Sequence, residues 1–215
     1  MTMNRYQRPQ GDPRWLLLCL LILLLGGAFD ADATRPPSAA LPYRADLIRN
    51  ARLVWGLNAS VADFAAQIDH ESGWQPGITN RIGAQGLGQF MPATTAWIGE
   101  LMPELAAKAP LNPSWSLRAV VSFDHWLWQR VLAVNCCERM AMTLSAYNGG
   151  LGWVRRDKRL AVQKGLDGTR WFEHVATVNA GRSAANWQEN RHYPQRILHE
   201  LAPRYLTWGG GSCVD

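Results

Sequence analysis

Glu71 stands out among the chain's acids by its surroundings. It lies at the middle of the segment Ile68-Asp69-His70-Glu71-Ser72-Gly73-Trp74, and a glycine-rich, amide-bearing loop follows, Gly83-Ala84-Gln85-Gly86-Leu87-Gly88-Gln89-Phe90-Met91-Pro92. Upstream, Val61, Phe64, Ala65 and Ile68 recur at the period of a helix with one buried face. At about 100° per residue, Glu71 falls roughly 20° from Phe64 and roughly 60° from Ile68, so its carboxyl tops the apolar stripe. Desolvation penalises the charged form of such a group, which can then hold its proton near neutral pH and donate it to a leaving oxygen. Asp69 lies roughly 160° away around the same helix and is expected to face solvent. Taken alone, a glutamate before Ser-Gly is most often a solvated helix end; the motifs downstream change that weighting.

The elements that would position this acid are helical. Ser60 and Asp63 have capping-box spacing, with Asp in place of Glu, and Gly73 is placed where glycine relieves left-handed strain at a helix end. A preceding helix is predicted over residues 45–55. Pro92 suits the first turn of a third helix, which Pro103 should stop. Further helices are predicted over 115–133, 139–147 and 184–201, the last kinked or broken at Pro194. A short extended hairpin is expected between Gly83 and Gly88. Of the eleven tryptophans, Trp126 and Trp128 read as core, whereas Trp74 and Trp153 flank the Glu71 and Tyr147 motifs and are candidates for a cleft. His70 and His192 read as partly exposed neighbours rather than proton shuttles.

Four blocks carry a resemblance: Glu71-Ser72-Gly73; Gly83 to Thr94; Ala146-Tyr147-Asn148-Gly149-Gly150; and Glu189-Asn190-Arg191-His192-Tyr193. In order and spacing the chain resembles the soluble lytic transglycosylase family, across most of its length after residue 44. The resemblance implies a mainly α, lysozyme-like domain acting on peptidoglycan glycan strands. It implies Glu71 as catalytic acid and then base, with Tyr193 hydrogen-bonded near the carboxylate. Gln89 would hold a sugar hydroxyl or N-acetyl group, and Tyr147 and Asn148 would line the cleft. Two departures are Gly88, where the family often has Met, and Asn80, where it has a serine; the Asn80 amide can still donate.

A retaining glycosidase needs a second carboxylate about 5 Å from the first, and an inverting one about 6.5 to 9.5 Å away. No second acid accompanies the matched motifs. The family's solution, carried over, is intramolecular. The acid protonates the oxygen of the MurNAc-GlcNAc β-1,4 bond, then takes the proton of the C6 hydroxyl of N-acetylmuramic acid, which closes a 1,6-anhydro ring. The alternatives are a hydrolytic muramidase, a wall-opening enzyme of a secretion apparatus, and a non-catalytic wall-binding protein. No cofactor and no metal site are expected, because Cys136-Cys137 lacks the spacing of a zinc knuckle and the five histidines are scattered.

Composition sets the frame: 47% hydrophobic, 18% charged, formal net charge +5. A basic surface favours adsorption to the stem-peptide carboxylates of peptidoglycan. No basic run accompanies a nucleic-acid motif, so nucleic acid is not an expected partner. Arg5, Arg8 and Arg14, an apolar run from Trp15 to Phe29 and Ala31-Asp32-Ala33 form an export-signal pattern over residues 1–33, with the inner membrane as a transient contact. An uncleaved anchor at 15–29 is the runner-up, and the periplasm is the expected compartment. A Pro-rich linker over 34–43, a catalytic domain over 44–207 and a Gly-rich tail over 208–215 complete the expected organisation, as a monomer. There, one of Cys136 and Cys137 could bridge to Cys213. Such a domain behind a leader suits wall degradation in phage-type host lysis.

Overall fold

The structure, a computed structural model, describes residues 35–214. The export signal expected over 1–33, and the alternative anchor at 15–29, lie outside the described residues. Among the described residues, seven α-helices form the fold: α1 Arg44–Trp55, α2 Val61–Ser72, α3 Pro92–Leu101, α4 Pro113–Trp128, α5 Cys136–Gly149, α6 Leu151–Gln163 and α7 Ala184–Gln195. Within the Pro-rich stretch, Ser38–Tyr43 forms a 3-10 helix that runs into α1 and buries Ala40. Among the described residues no helix is long and apolar enough to cross a membrane.

The second helix is central rather than one-sided. All eight residues from 61 to 68 are buried, the small Ala62, Ala65 and Ala66 letting neighbouring backbones come close. Its neighbours are α1, the π-helical turn Arg196–Leu201 and the 3-10 segment Ala202–Trp208. For this reason Asp69 does not face open water: the 3-10 segment covers that side, and Arg204 Nη1 stands 3.7 Å from Asp69 Oδ2.

Both ends of α2 are fixed by distant chain. The expected capping box is absent, since Ser60 makes no side-chain cap bond. The C-terminal tail takes its place. Gly210 O accepts from Ala62 N–H (3.1 Å), Ser212 N–H donates to Asp63 Oδ2 (2.9 Å), and the Ser212 and Ser60 hydroxyls bond at 3.0 Å. A disulfide, Cys137–Cys213, ties the same tail to α5 and leaves Cys136 free and exposed. At the other end Gly73 adopts φ 55°, and Trp74 also has a positive φ, 65°. A bulky side chain tolerates that backbone only when packing holds it. Trp74 is therefore core and not cleft: its indole N–H donates to the Tyr205 hydroxyl (2.9 Å) and its ring stacks 6.0 Å from Tyr43.

Other boundaries differ from the sequence reading for local reasons. Helix α4 stops at Trp128, short of 133, because Arg130 and Arg139 side chains take the Trp126 and Trp128 carbonyls that would continue it. Helix α5 starts early, at Cys136, because the Asn135 side chain accepts from Glu138 N–H and caps it. Helix α6 has no counterpart among the helices expected from sequence; Asn148-Gly149-Gly150 reads as a stop, yet Gly150 at φ 94° is a one-residue joint into a new helix. After Pro194 the chain continues from α7 as the π-helical turn, which fits a proline that cannot donate to its i−4 carbonyl. The hairpin appears as two isolated antiparallel bridges, Thr79 with Gln85 and Gln85 with Phe90.

The disulfide closes a loop of 76 residues. Replacing Cys213 with Ser is expected to lower stability by about 2–4 kcal/mol, read from urea denaturation, with hydrogen exchange increasing first at the start of α2.

Candidate active site

Glu71 is the next-to-last residue of α2, so the buried helix delivers its carboxyl to the floor of a cleft of about 220 Å³. Asn80, Gln89, Tyr147, Asn148 and Glu189 line the same cleft. Tyr193, on α7 and 2% exposed, lies behind it, and its hydroxyl donates to Glu71 Oε1 at 2.5 Å. Burial raises the Glu71 pKa from 4.5 to about 7, the Tyr193 hydrogen bond opposing it and the negative charge of Glu189 adding to it. A carboxyl so placed exchanges its proton in the neutral range.

The walls are built from the glycine loop and α5. The Tyr147 hydroxyl donates to Gly88 O at 2.7 Å, and its ring packs against Phe90 and Phe123. A Cβ at Gly88 would lie 2.6 Å from both Val120 Cγ2 and Phe90 Cε2, and 2.9 Å from the Tyr147 hydroxyl. The room that a methionine would take is therefore filled, which accounts for that departure from the family pattern. Gly86 is equally constrained: at φ 73° its Cβ would meet Pro110 O at 1.7 Å. Gln89 has φ 47°, and its Nε2 donates to Gly86 O (2.9 Å), which leaves the side-chain carbonyl free. Asn80 Oδ1 accepts from Ile82 and Ala84 N–H, both at 3.0 Å, which leaves its amide N–H groups as donors.

Asn148 is held at both ends, its Nδ2 donating to Glu189 Oε1 (3.2 Å) and its Oδ1 accepting from Asn190 Nδ2 (2.9 Å). Asn190, 1% exposed, also exchanges bonds with Ser145 and so fixes α7 against α5. His70 packs edge-on to the Tyr193 ring at 4.9 Å, and burial lowers its pKa, with Arg196 adding to the effect.

Two carboxyls that the motif reading passed over lie near Glu71. Glu189 lines the cleft, where it had been read only as part of a family block. Asp124, on α4, is fully buried, with both carboxyl oxygens lacking a hydrogen-bond partner. Its pKa is raised well above the usual value by burial first, with Gln67 opposing and the charges of Glu71 and Asp63 adding to the rise. A lone acid inside the apolar run 119–127 was the available signal. Gln67, one helical turn before Glu71, is buried beside it with both amide atoms unpartnered. As for metals, Cys137, His199 and Cys213 lie close together, but the two sulfurs are joined and offer no thiolate.

Residues 47–168 match the family model described as Transglycosylase SLT domain. The chain belongs to this family. Relatives include membrane-bound lytic murein transglycosylase F from Vibrio cholerae, 28% identical over 213 residues, covering 88% of this chain and 38% of the relative. The protein of that name from Hahella chejuensis is 30% identical over 120 residues, 55% of this chain and 21% of the relative. The chain thus spans from about a fifth to about two fifths of these relatives' length. An X-ray structure of an inactive mutant of the lytic transglycosylase Slt from Pseudomonas aeruginosa superposes with a TM-score of 0.57 at 20% identity, over 94% of this chain and 30% of that one. The fold is that mainly α, lysozyme-like one.

Glu71 and Asp63 have folded-state pKa values raised to about 7 and about 6. The stability linked to their protonated forms is fully present below their ordinary values of 4.5 and 3.8, and is lost as pH rises through the folded values. The melting temperature is therefore expected to be higher at pH 5 than at pH 8, and Glu71→Gln to flatten the part of the decline nearest pH 7 in calorimetric scans.

Proposed function

We propose that this chain is a peptidoglycan lytic transglycosylase that cleaves the MurNAc-GlcNAc β-1,4 bond and leaves a 1,6-anhydro-MurNAc end. The observation that carries the reading is the Glu71 carboxyl at the cleft floor, with one oxygen held by Tyr193 and a pKa raised to about 7. Family membership and the relatives' names support the substrate class.

Tyr193 occupies Oε1, so Oε2 carries the proton and gives it to the glycosidic oxygen as the C1–O bond breaks. The resulting carboxylate then takes the proton of the C6 hydroxyl while that oxygen bonds to C1. Glu71 ends protonated, and no water is consumed. Tyr193 stabilises the carboxylate between the two steps, a preorganised donor of the kind worth roughly 3 kcal/mol. Asn80, through its free amide, and Gln89, through its free carbonyl, are the substrate-binding groups that contact sugar. Tyr147 and Asn148 have their polar atoms engaged within the protein and act by shaping the wall.

A second reading, hydrolysis, is favoured by one observation, the presence of Glu189 in the same cleft, where a carboxylate could activate water. Mass spectrometry of the released muropeptides separates the two, since anhydro products are lighter by one water. Glu71→Gln is expected to lower kcat by about 10²- to 10⁴-fold with the fold retained, and Tyr193→Phe by less. Wild-type activity should fall as pH rises through about 7, because the donor must be protonated. Hydrated reducing ends that disappear in Glu189→Gln would establish hydrolysis instead.

We extend the reading to the setting: an exported enzyme that degrades the wall from the periplasmic side in phage-type lysis, supported by the leader pattern of residues 1–33. Expression in a Gram-negative host should clear the culture with residues 1–33 present and leave turbidity unchanged when they are deleted. Equal clearing without them would overturn the export assignment.

A further inference from the structure

A second surface stands apart from the cleft. Leu132, in the connection between α4 and α5, is 74% exposed, and Val162, near the end of α6, is 62% exposed; with Leu166 they wall an open groove of about 700 Å³. These apolar side chains do not sit on a loose end. Lys158 Nζ donates to Leu132 O, and Val134 N–H donates to Thr169 O (3.0 Å), so the connection is bonded both to α6 and to the segment that follows it. The fold therefore holds Leu132 outward and leaves its apolar surface in water, which marks a contact surface rather than a packing accident.

The charge around the groove has one sign. Arg130, Arg155, Lys158 and Arg159 surround Leu132, and none of the four forms an ion pair among the described residues. The acid in the lining, Asp167, accepts from the Thr169 N–H (2.7 Å) and hydroxyl (2.6 Å) and lies 3.5 Å from Arg170 Nε, so its charge is already matched. None of the lining residues holds a buried polar atom without a partner, so nothing here selects a ligand by directional hydrogen bonds.

We propose that this face docks onto an anionic lipid bilayer, Leu132 and Val162 entering the headgroup boundary while Arg130, Arg155, Lys158 and Arg159 lie against the lipid phosphates. A ring of unpaired cations around projecting apolar groups complements anionic headgroups over a hydrocarbon layer. A partner helix is received by recessed apolar pockets, whereas here the apolar groups project. Val162 stands nine residues after Trp153, roughly 180° around α6, and Trp153 walls a depression that shares Asn148 and Glu189 with the cleft. Docking through the Val162 side thus leaves the Trp153 side, and the cleft, uncovered.

Amide hydrogen exchange of the full chain, followed by mass spectrometry, tests this on vesicles of phosphatidylcholine alone and of phosphatidylcholine mixed with phosphatidylglycerol. The segments over 130–136 and 158–170 should be protected on the mixed vesicles, and phosphatidylcholine alone should need about tenfold more lipid or more for the same protection. Reading exchange by segment separates this face from any binding by residues 1–33. Leu132→Ser combined with Val162→Ser keeps every charge and alters two exposed positions. The free variant should exchange as the wild type does, while the lipid needed for half-protection rises about tenfold or more. Protection of these segments that is absent, equal on the two vesicle types, or undiminished in the doubly substituted chain would overturn the assignment. An acidic amphipathic helical peptide that protects them where vesicles do not would overturn it in favour of a protein partner.

Discussion

A carboxyl group keeps its proton near neutral pH only where water is held away from it, and in this protein that depends on α2 running through the middle of the fold. Every residue from 61 to 68 is buried, so the helix reaches the cleft end-on and presents Glu71 at the point where core meets solvent. A helix lying on the surface could not do this, because the same glutamate would then be hydrated and would titrate as an ordinary acid. The raised pKa is thus a property of the fold's centre, set by packing and only trimmed by the Tyr193 hydrogen bond.

A buried helix must have its ends satisfied by something other than water. At the start of α2 this falls to the tail, which supplies Gly210 O and the Ser212 N–H and is itself held by Cys137–Cys213. At the other end, consecutive left-handed residues turn the chain sharply, and Trp74 locks the turn through Tyr205. The tail lies 149 residues from Asp63 in sequence, yet it anchors the start of the helix that carries Glu71. An oxidising compartment, where such a bridge persists, suits this construction.

What was legible in the sequence follows the range of the interactions. Helix periods, Gly73, Pro92 and the break at Pro194 are local features and were readable. The motif blocks led to the cleft because each carries at least one residue that lines it. The cap from the tail, the burial of Asp69 under Arg204 and the core position of Trp74 depend on chain far away in sequence, and local pattern pointed the wrong way for each. Helix α6 was missed for a different reason: the Asn-Gly-Gly stop signal is real, but the next helix starts one residue later. The room around Gly88, taken by Val120 and Phe90, shows how a departure from a family pattern is absorbed by neighbours that only the folded chain brings together.

The buried carboxyls sort themselves by depth. Asp63 and Glu71 stand two turns apart on α2, and Asp124 faces them from α4, so the charge of either makes Asp124 harder to ionise. Asp63 has its burial penalty partly offset by Ser212, and its pKa rises only to about 6. Asp124 has its burial penalty offset only by Gln67, and the charge of Glu71 raises its pKa further. Of these three acids only Glu71 lines the cleft, so its proton is the one that substrate can reach. The same core that makes Glu71 a donor thus keeps the acid behind it out of reach of the cleft.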